Sequence, residues 1–159
     1  MTQDSALTAA LQAVLAAEDA AIFGYGVAGA YLAGTRQAAA RACWDDHKSA
    51  RDTVTAMLAA RGARPAAAQA AYRLPFEVRT ADRAVALAVY LEDGVTTAYL
   101  GVVAAGGPAA RQFGALAMQQ CAVRAVRWRG ASVAFPGIPA AGPRSPQRPE
   151  RSRSAPPAA

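Results

Sequence analysis

The sequence predicts an all-α protein, four amphipathic helices in an antiparallel bundle with one long crossover between helices two and three. Three observations carry that expectation. Apolar residues recur at three- and four-residue steps in four separate stretches, the pattern of helices with one buried face. Alanine dominates, aromatics are 7% of the chain and runs of β-branched residues are scarce, a mix that suits closely packed helices better than sheet. Between the second and third stretches, Gly62 to Thr80 holds two prolines and no helical period, and a bundle accommodates that much irregular chain as a crossover.

Helix one is expected over Ser5 to Leu32, with Leu7, Leu11, Leu15, Ile22, Tyr25, Gly29 and Leu32 as its stripe and Ser5 as N-cap. The glycines at 24, 26, 29 and 34 near its far end permit close approach of a neighbour. Gly34 and Thr35 make the turn into helix two, Arg36 to Ala60, whose inner face reads Ala40, Trp44, His47, Val54 and Leu58, with Arg61-Gly62 closing it. In the crossover, Leu74, Phe76 and Val78 alternate as an extended segment packed on the bundle. Helix three opens at Thr80 to Asp82 and runs to about Ala105 with Val85, Ala88, Val95, Tyr99 and Val102 inside. Gly106-Gly107-Pro108 breaks the chain and starts helix four, whose inner stripe reads Phe113, Leu116, Gln120 and Val123 up to Arg129, with Gly130 as the stop. Val133 to Pro139 is apolar but proline-broken, an irregular cap anchored by Phe135 and Ile138. Residues 1–139 thus form one domain. Residues 140–159, all proline, serine, arginine, alanine and other small or polar residues, have nothing to bury and are expected to be a disordered tail.

The chain of 159 residues suits one domain. Its net charge of +6 splits evenly between the tail and the first 139 residues, so basicity alone implies no nucleic-acid groove, and the tail offers at most a weak, salt-sensitive contact. Cys43 and Cys121 fit neither a disulfide framework nor a zinc motif and read as two packed, reduced thiols. The N-terminus lacks a signal-peptide pattern, and only sixteen uncharged residues separate Asp19 from Arg36, short of the roughly 20 a membrane helix needs, so a cytoplasmic protein with no membrane span is expected. No G-x-S-x-G, phosphate loop or cysteine beside a histidine points to hydrolase, transferase or nucleotide-binding activity.

The polar residues on the apolar faces are more informative. Glu18 falls between Leu15 and Ile22, His47 lies on the inner side of helix two, and Glu92 sits between Ala88 and Val95, each where an ionised group must find a partner. Glu18 precedes His47 by 29 residues and Glu92 precedes Gln120 by 28, so the halves echo each other as helical hairpins with a polar residue on each arm. At these residues the chain resembles the ferritin-like di-metal bundles. More closely it is similar to a bacterial ferritin-like family, domain of unknown function 4439, through LQAVLAAEDAAIFGYGVAGAYL, HKSARD, LPFEV, LEDGVTTAYL and AVRAVRWRG, over about residues 7 to 139.

The resemblance implies a four-helix bundle but only half of a metal motif. Ferritin-like centres take one glutamate from each of two helices and an E-x-x-H pair from each of the others. Here the first such frame reads Trp44-Asp45-Asp46-His47 and the second Gln120-Cys121-Ala122-Val123, and helix four holds no Asp, Glu or His. A di-iron centre is therefore not expected. Two arrangements remain. In one, Glu18, His47, Glu92 and Gln120 form a buried polar network, with Arg51 one turn after His47 and Arg124 one turn after Gln120 supplying positive charge and no cofactor present. In the other, Glu18, His47 and Glu92 hold a single iron or manganese ion, with waters completing the shell. Asp45 and Asp46 point away from the histidine's face and read as solvated. The first arrangement leads to a non-enzymatic protein that binds a partner or small ligand, a homodimer through helix faces being one such assembly. The second leads to a metal-dependent oxidase or iron-handling protein.

Overall fold

The computed structural model describes residues 2–138, so the sequence's tail, 140–159, lies outside them. Four helices account for the domain: α1 Gln3–Ala30, α2 Gly34–Ala60, α3 Ala81–Ala105 and α4 Pro108–Arg129, with no strand among the described residues. Each helix packs antiparallel to its partner in a hairpin, α1 with α2 and α3 with α4, and the hairpins meet through α1 and α3. That meeting is also antiparallel, since Tyr25 of α1 reaches Glu92 of α3 while Glu18 of α1 faces Tyr99. The second and third helices consequently run parallel, and the connection between them must return along the bundle. It does so against α1: Gln12 holds Arg64 and Ala66 through its side-chain amide, and further along the Tyr72 ring lies 5.6 Å from that of Phe23. Val78 is buried and Leu74 and Phe76 pack against the core, as the alternation predicts.

The core is built mainly from α1 and α3. Leu11, Val14, Ala21 and Ala28 of α1 and Ala84, Leu87, Ala88 and Val102 of α3 are fully buried. Gly24 lets these two helices close up, for a Cβ there would lie 2.6 Å from Leu91 Cδ1; Gly26 and Gly29 meet nothing and have no such role. By length and composition both α1 and α3 are apolar enough to cross a membrane, α1 against the sequence expectation. In the bundle their apolar residues face each other.

Four further expectations are corrected. The N-cap of α1 is Thr2, whose hydroxyl accepts from the Ser5 backbone N–H, while Ser5 lies inside the first turn. The stripe of α4 is turned by about one residue. Gly114, Cys121 and Ala125 are buried with Phe113 packed beside them, whereas Leu116 and Val123 are 54% and 43% exposed and Gln120 is exposed. Gly34 and Thr35 open α2, with Ala33 as its N-cap, rather than forming the turn before it, while Trp44 is half-buried and packs against the core as expected, under the cations of Arg41 and Lys48. The segment after Gly130 is not anchored by Phe135 and Ile138, which are 71% and 55% exposed; it is pinned through backbone, the Thr97 hydroxyl donating to the Gly137 carbonyl at 2.8 Å. Gly137 has φ +78 and sits so close to α3 that a Cβ would meet Thr96.

Candidate functional site: a buried carboxylate and imidazole network

Glu18, His47 and Glu92 are brought together at mid-bundle, 1%, 0% and 0% exposed. Ordinary helix periodicity puts them there, because each occupies a core position of its helix. The imidazole lies between the carboxylates: Nδ1 is 2.6 Å from Glu18 Oε2 and Nε2 3.2 Å from Glu92 Oε1. Burial disfavours a charged imidazole, but the hydrogen bonds and charges of the two glutamates outweigh it and hold the His47 pKa up at about 9. At neutral pH His47 is an imidazolium donating from both nitrogens. Burial would likewise raise the Glu92 carboxyl, yet its bonds to His47 and Arg124 prevail and lower it.

Arg124 behaves as the sequence suggests. Its Nε donates to Glu92 Oε1 at 2.9 Å, and its Nη2 lies 3.2 Å from Cys121 Sγ. Asp46, mostly exposed as expected, still touches Arg124 at 3.5 Å. Arg51 and Gln120 do not join. Arg51 forks onto Asp52 at the surface, and its charge within the protein acts on Asp19, a buried carboxyl whose pKa burial raises against that attraction. Gln120 points outward because α4 is rotated, and Cys121 takes the inner place.

Three aromatic residues complete the network, and the sequence reading missed all three. Tyr99 donates to Glu18 Oε1 at 2.8 Å and Tyr25 to Glu92 Oε1 at 2.7 Å. Trp128 in turn donates to the Tyr25 hydroxyl at 2.9 Å, and the Tyr25 ring stacks on His47 with centroids 5.3 Å apart. Burial, then the adjacent carboxylate, pushes both phenols far above their usual range, so they remain donors. A signal for them exists in the sequence. Glu-Asp followed by a tyrosine seven residues after the glutamate occurs twice, as Glu18-Asp19 with Tyr25 and as Glu92-Asp93 with Tyr99, the copies 74 residues apart. The same offset carries His47 onto Cys121, not Gln120, and so gives the correct face of α4.

The donor geometry bears on metal. A single ion needs several lone pairs aimed at one centre. Here the two imidazole nitrogens face different carboxylates, Glu18 has both oxygens engaged, and a guanidinium already stands at Glu92. Of the side-chain oxygens of Glu18 and Glu92, Oε2 of Glu92 is the one buried without a partner. Among the described residues, no group of three or more His, Cys, Asp or Glu side chains is arranged to hold a metal ion. As the side chains stand, the iron or manganese set of Glu18, His47 and Glu92 does not fit one.

Above this network the bundle is open. The α2 and α4 backbones barely approach one another, and between them lies a cavity of about 1060 Å³ whose floor is formed by Glu18, Tyr99, Cys43 and Cys121. Burial raises the pKa of both cysteines, so they face the cavity as thiols.

Comparison with known proteins agrees with this architecture. Residues 10–140 match the family described as Domain of unknown function (DUF4439). No curated protein matches the chain. Among solved structures, the fold is similar to that of a conserved hypothetical protein, rv2844, from Mycobacterium tuberculosis, with 38% identity, a TM-score of 0.77, and coverage of 79% of this chain and 96% of that one. The chain therefore belongs to the DUF4439 family.

Proposed function

We propose that the protein is a ferritin-like bundle without enzymatic activity, in which His47 and Arg124 supply the positive charge that metal supplies in di-iron bundles, and that it acts as a binding module through the cleft between α2 and α4. One observation carries the reading: the imidazole ring of His47 bridges Glu18 and Glu92, one nitrogen to each. With Arg124, two cationic groups balance two carboxylates, so the buried charge closes on itself without a further ion. The cleft is the remaining feature with the size and mixed lining of a ligand site. A cytoplasmic location belongs to the same reading.

Elemental analysis tests it. Protein purified without chelator and then offered iron, manganese and zinc should retain no stoichiometric metal after desalting, and chelator should leave its melting temperature unchanged. Stoichiometric metal that disappears in Glu18→Ala would reverse the reading in favour of a metal-dependent oxidase or iron-handling protein.

A further inference from the structure

The cleft between α2 and α4 is graded along its length. At one end stand Arg36 and Arg127, both exposed, both lining the cavity and neither in an ion pair among the described residues. The first turn of α2 reaches the same end through Thr35. Its N-cap, Ala33, offers no side-chain acceptor, so the helix's free N–H groups and positive dipole end add to the guanidiniums. About one turn further along α4 the charge is already spent, for Asp46 and Arg124 hold each other. Past Ser49, Gln119 and Gln120 the lining is uncharged and more apolar, with Phe113, Leu116 and Ala117 from α4 facing Ala50 and Thr53 from α2. Leu116 and Val123 are the exposed apolar side chains that the rotation of α4 leaves along this wall.

We propose that this cleft binds an anionic amphiphile, a long acyl chain ending in a carboxylate or phosphate, with its head at Arg36 and Arg127 and its chain along Val123, Leu116 and Phe113. The charge pattern selects this occupant. The protein's own tail carries four arginines against one glutamate and would be repelled, and a second copy docked parallel would bring the same two arginines to the same edge. The length agrees as well: Phe113 and Arg127 are about 21 Å apart along α4 at the helical rise, room for an extended long acyl chain. Bidentate guanidinium contacts suit a carboxylate and a phosphate alike. The proposal rests on the reading of the bundle as a binding module, but it is independent of whether the network below holds metal.

The test uses the full chain and cis-parinaric acid, a fluorescent polyene carboxylate, displaced by palmitate, dodecyl phosphate, hexadecanol or hexadecyltrimethylammonium. Expected are saturable equimolar binding, displacement by palmitate or dodecyl phosphate, and competition by the alcohol and the ammonium weaker by about tenfold or more. Which anion displaces better identifies the head group. Arg36→Gln with Arg127→Gln should weaken binding by about tenfold or more, and Leu116→Glu should abolish it, with circular dichroism and melting unchanged because all three side chains are exposed. Absence of saturation, equal competition by hexadecanol, or indifference to the double arginine variant would overturn the proposal. So would an acidic amphipathic peptide that binds the cleft while parinarate does not, and that result would keep the binding-module reading. Stoichiometric metal in the parallel elemental analysis would instead remove the metal-free reading and leave the amphiphile result standing.

Discussion

The two sides of the bundle use similar residues to opposite ends. Where α1 meets α3, small residues bring the backbones together, aliphatic side chains are fully buried, and Glu18 and Glu92 each accept from a tyrosine of the other hairpin. Where α2 faces α4, equally small residues, Ala39, Ala42, Ser49 and Thr53, meet no partner helix and line open space. Small side chains on α1 and α3 thus make contact, whereas on α2 they make room. The contrast teaches that an alanine-rich face does not by itself declare a packed interface; what covers it decides.

The largest effect that would break this contrast is expected at Arg124. Its replacement by methionine leaves Glu92 with less than its balancing charge in a dry site, and should cost roughly 3 to 5 kcal/mol in a urea titration. Adding Glu92→Gln should recover part of that loss, and a cycle with no recovery would show that the pair does not act as a pair. Next, Leu11→Ala in the fully buried α1 face should cost about 2 to 5 kcal/mol, against a change within about 0.5 kcal/mol for Leu116→Ala on the open side. Equal costs would mean that the cleft is filled in the folded protein.

The network also gives the fold a pH dependence of definite sign. The folded pKa of His47, about 9, stands above its ordinary value of 6.5. The stability it confers is therefore full below 6.5 and lost as pH rises through about 9, in the order of 3 kcal/mol at the usual conversion of pKa to free energy. Glu92, held low, contributes above its ordinary pKa and loses that contribution in acid. Urea midpoints should fall between pH 7 and 10, and His47→Gln should flatten that alkaline limb. The smallest effect is expected at Arg51→Met, within about 0.5 kcal/mol, since its forked partner Asp52 is a surface residue.

Much of this architecture is legible in the sequence because periodicity and breakers are local. The four helices, the crossover and the depth of Glu18, His47 and Glu92 all follow from them. The register of α4 does not, for its apolar residues ring the helix: Leu116 and Val123 compete with Cys121 and Ala125 for the inner face, and only contact with α3 decides. The place of Arg51 is not legible for a related reason. One turn after His47 is the correct helical neighbour, but a long side chain goes to the nearest solvated carboxylate, and Asp52 is adjacent. The rings of Tyr25 and Tyr99 fit the apolar stripes, but their hydroxyls' destinations lie 67 and 81 residues away. Phe135 and Ile138 show the limit of hydrophobicity as a guide, since here a glycine carbonyl fastens the segment that they were expected to anchor.

The recurrence of Glu-Asp and tyrosine at a 74-residue offset has a consequence for how the chain assembles. Each hairpin contains its own ion pair, Glu18 with His47 in the first and Glu92 with Arg124 in the second, but lends its tyrosine to the other. Each of these carboxylates thus reaches the docking step already paired with a cation, sparing that step the desolvation of a lone charge. The exchanged phenols then act as a reciprocal latch: Tyr99 fills the Glu18 Oε1 that the first hairpin folded alone would leave unfilled, and Tyr25 adds a second donor to the Glu92 Oε1 already held by Arg124.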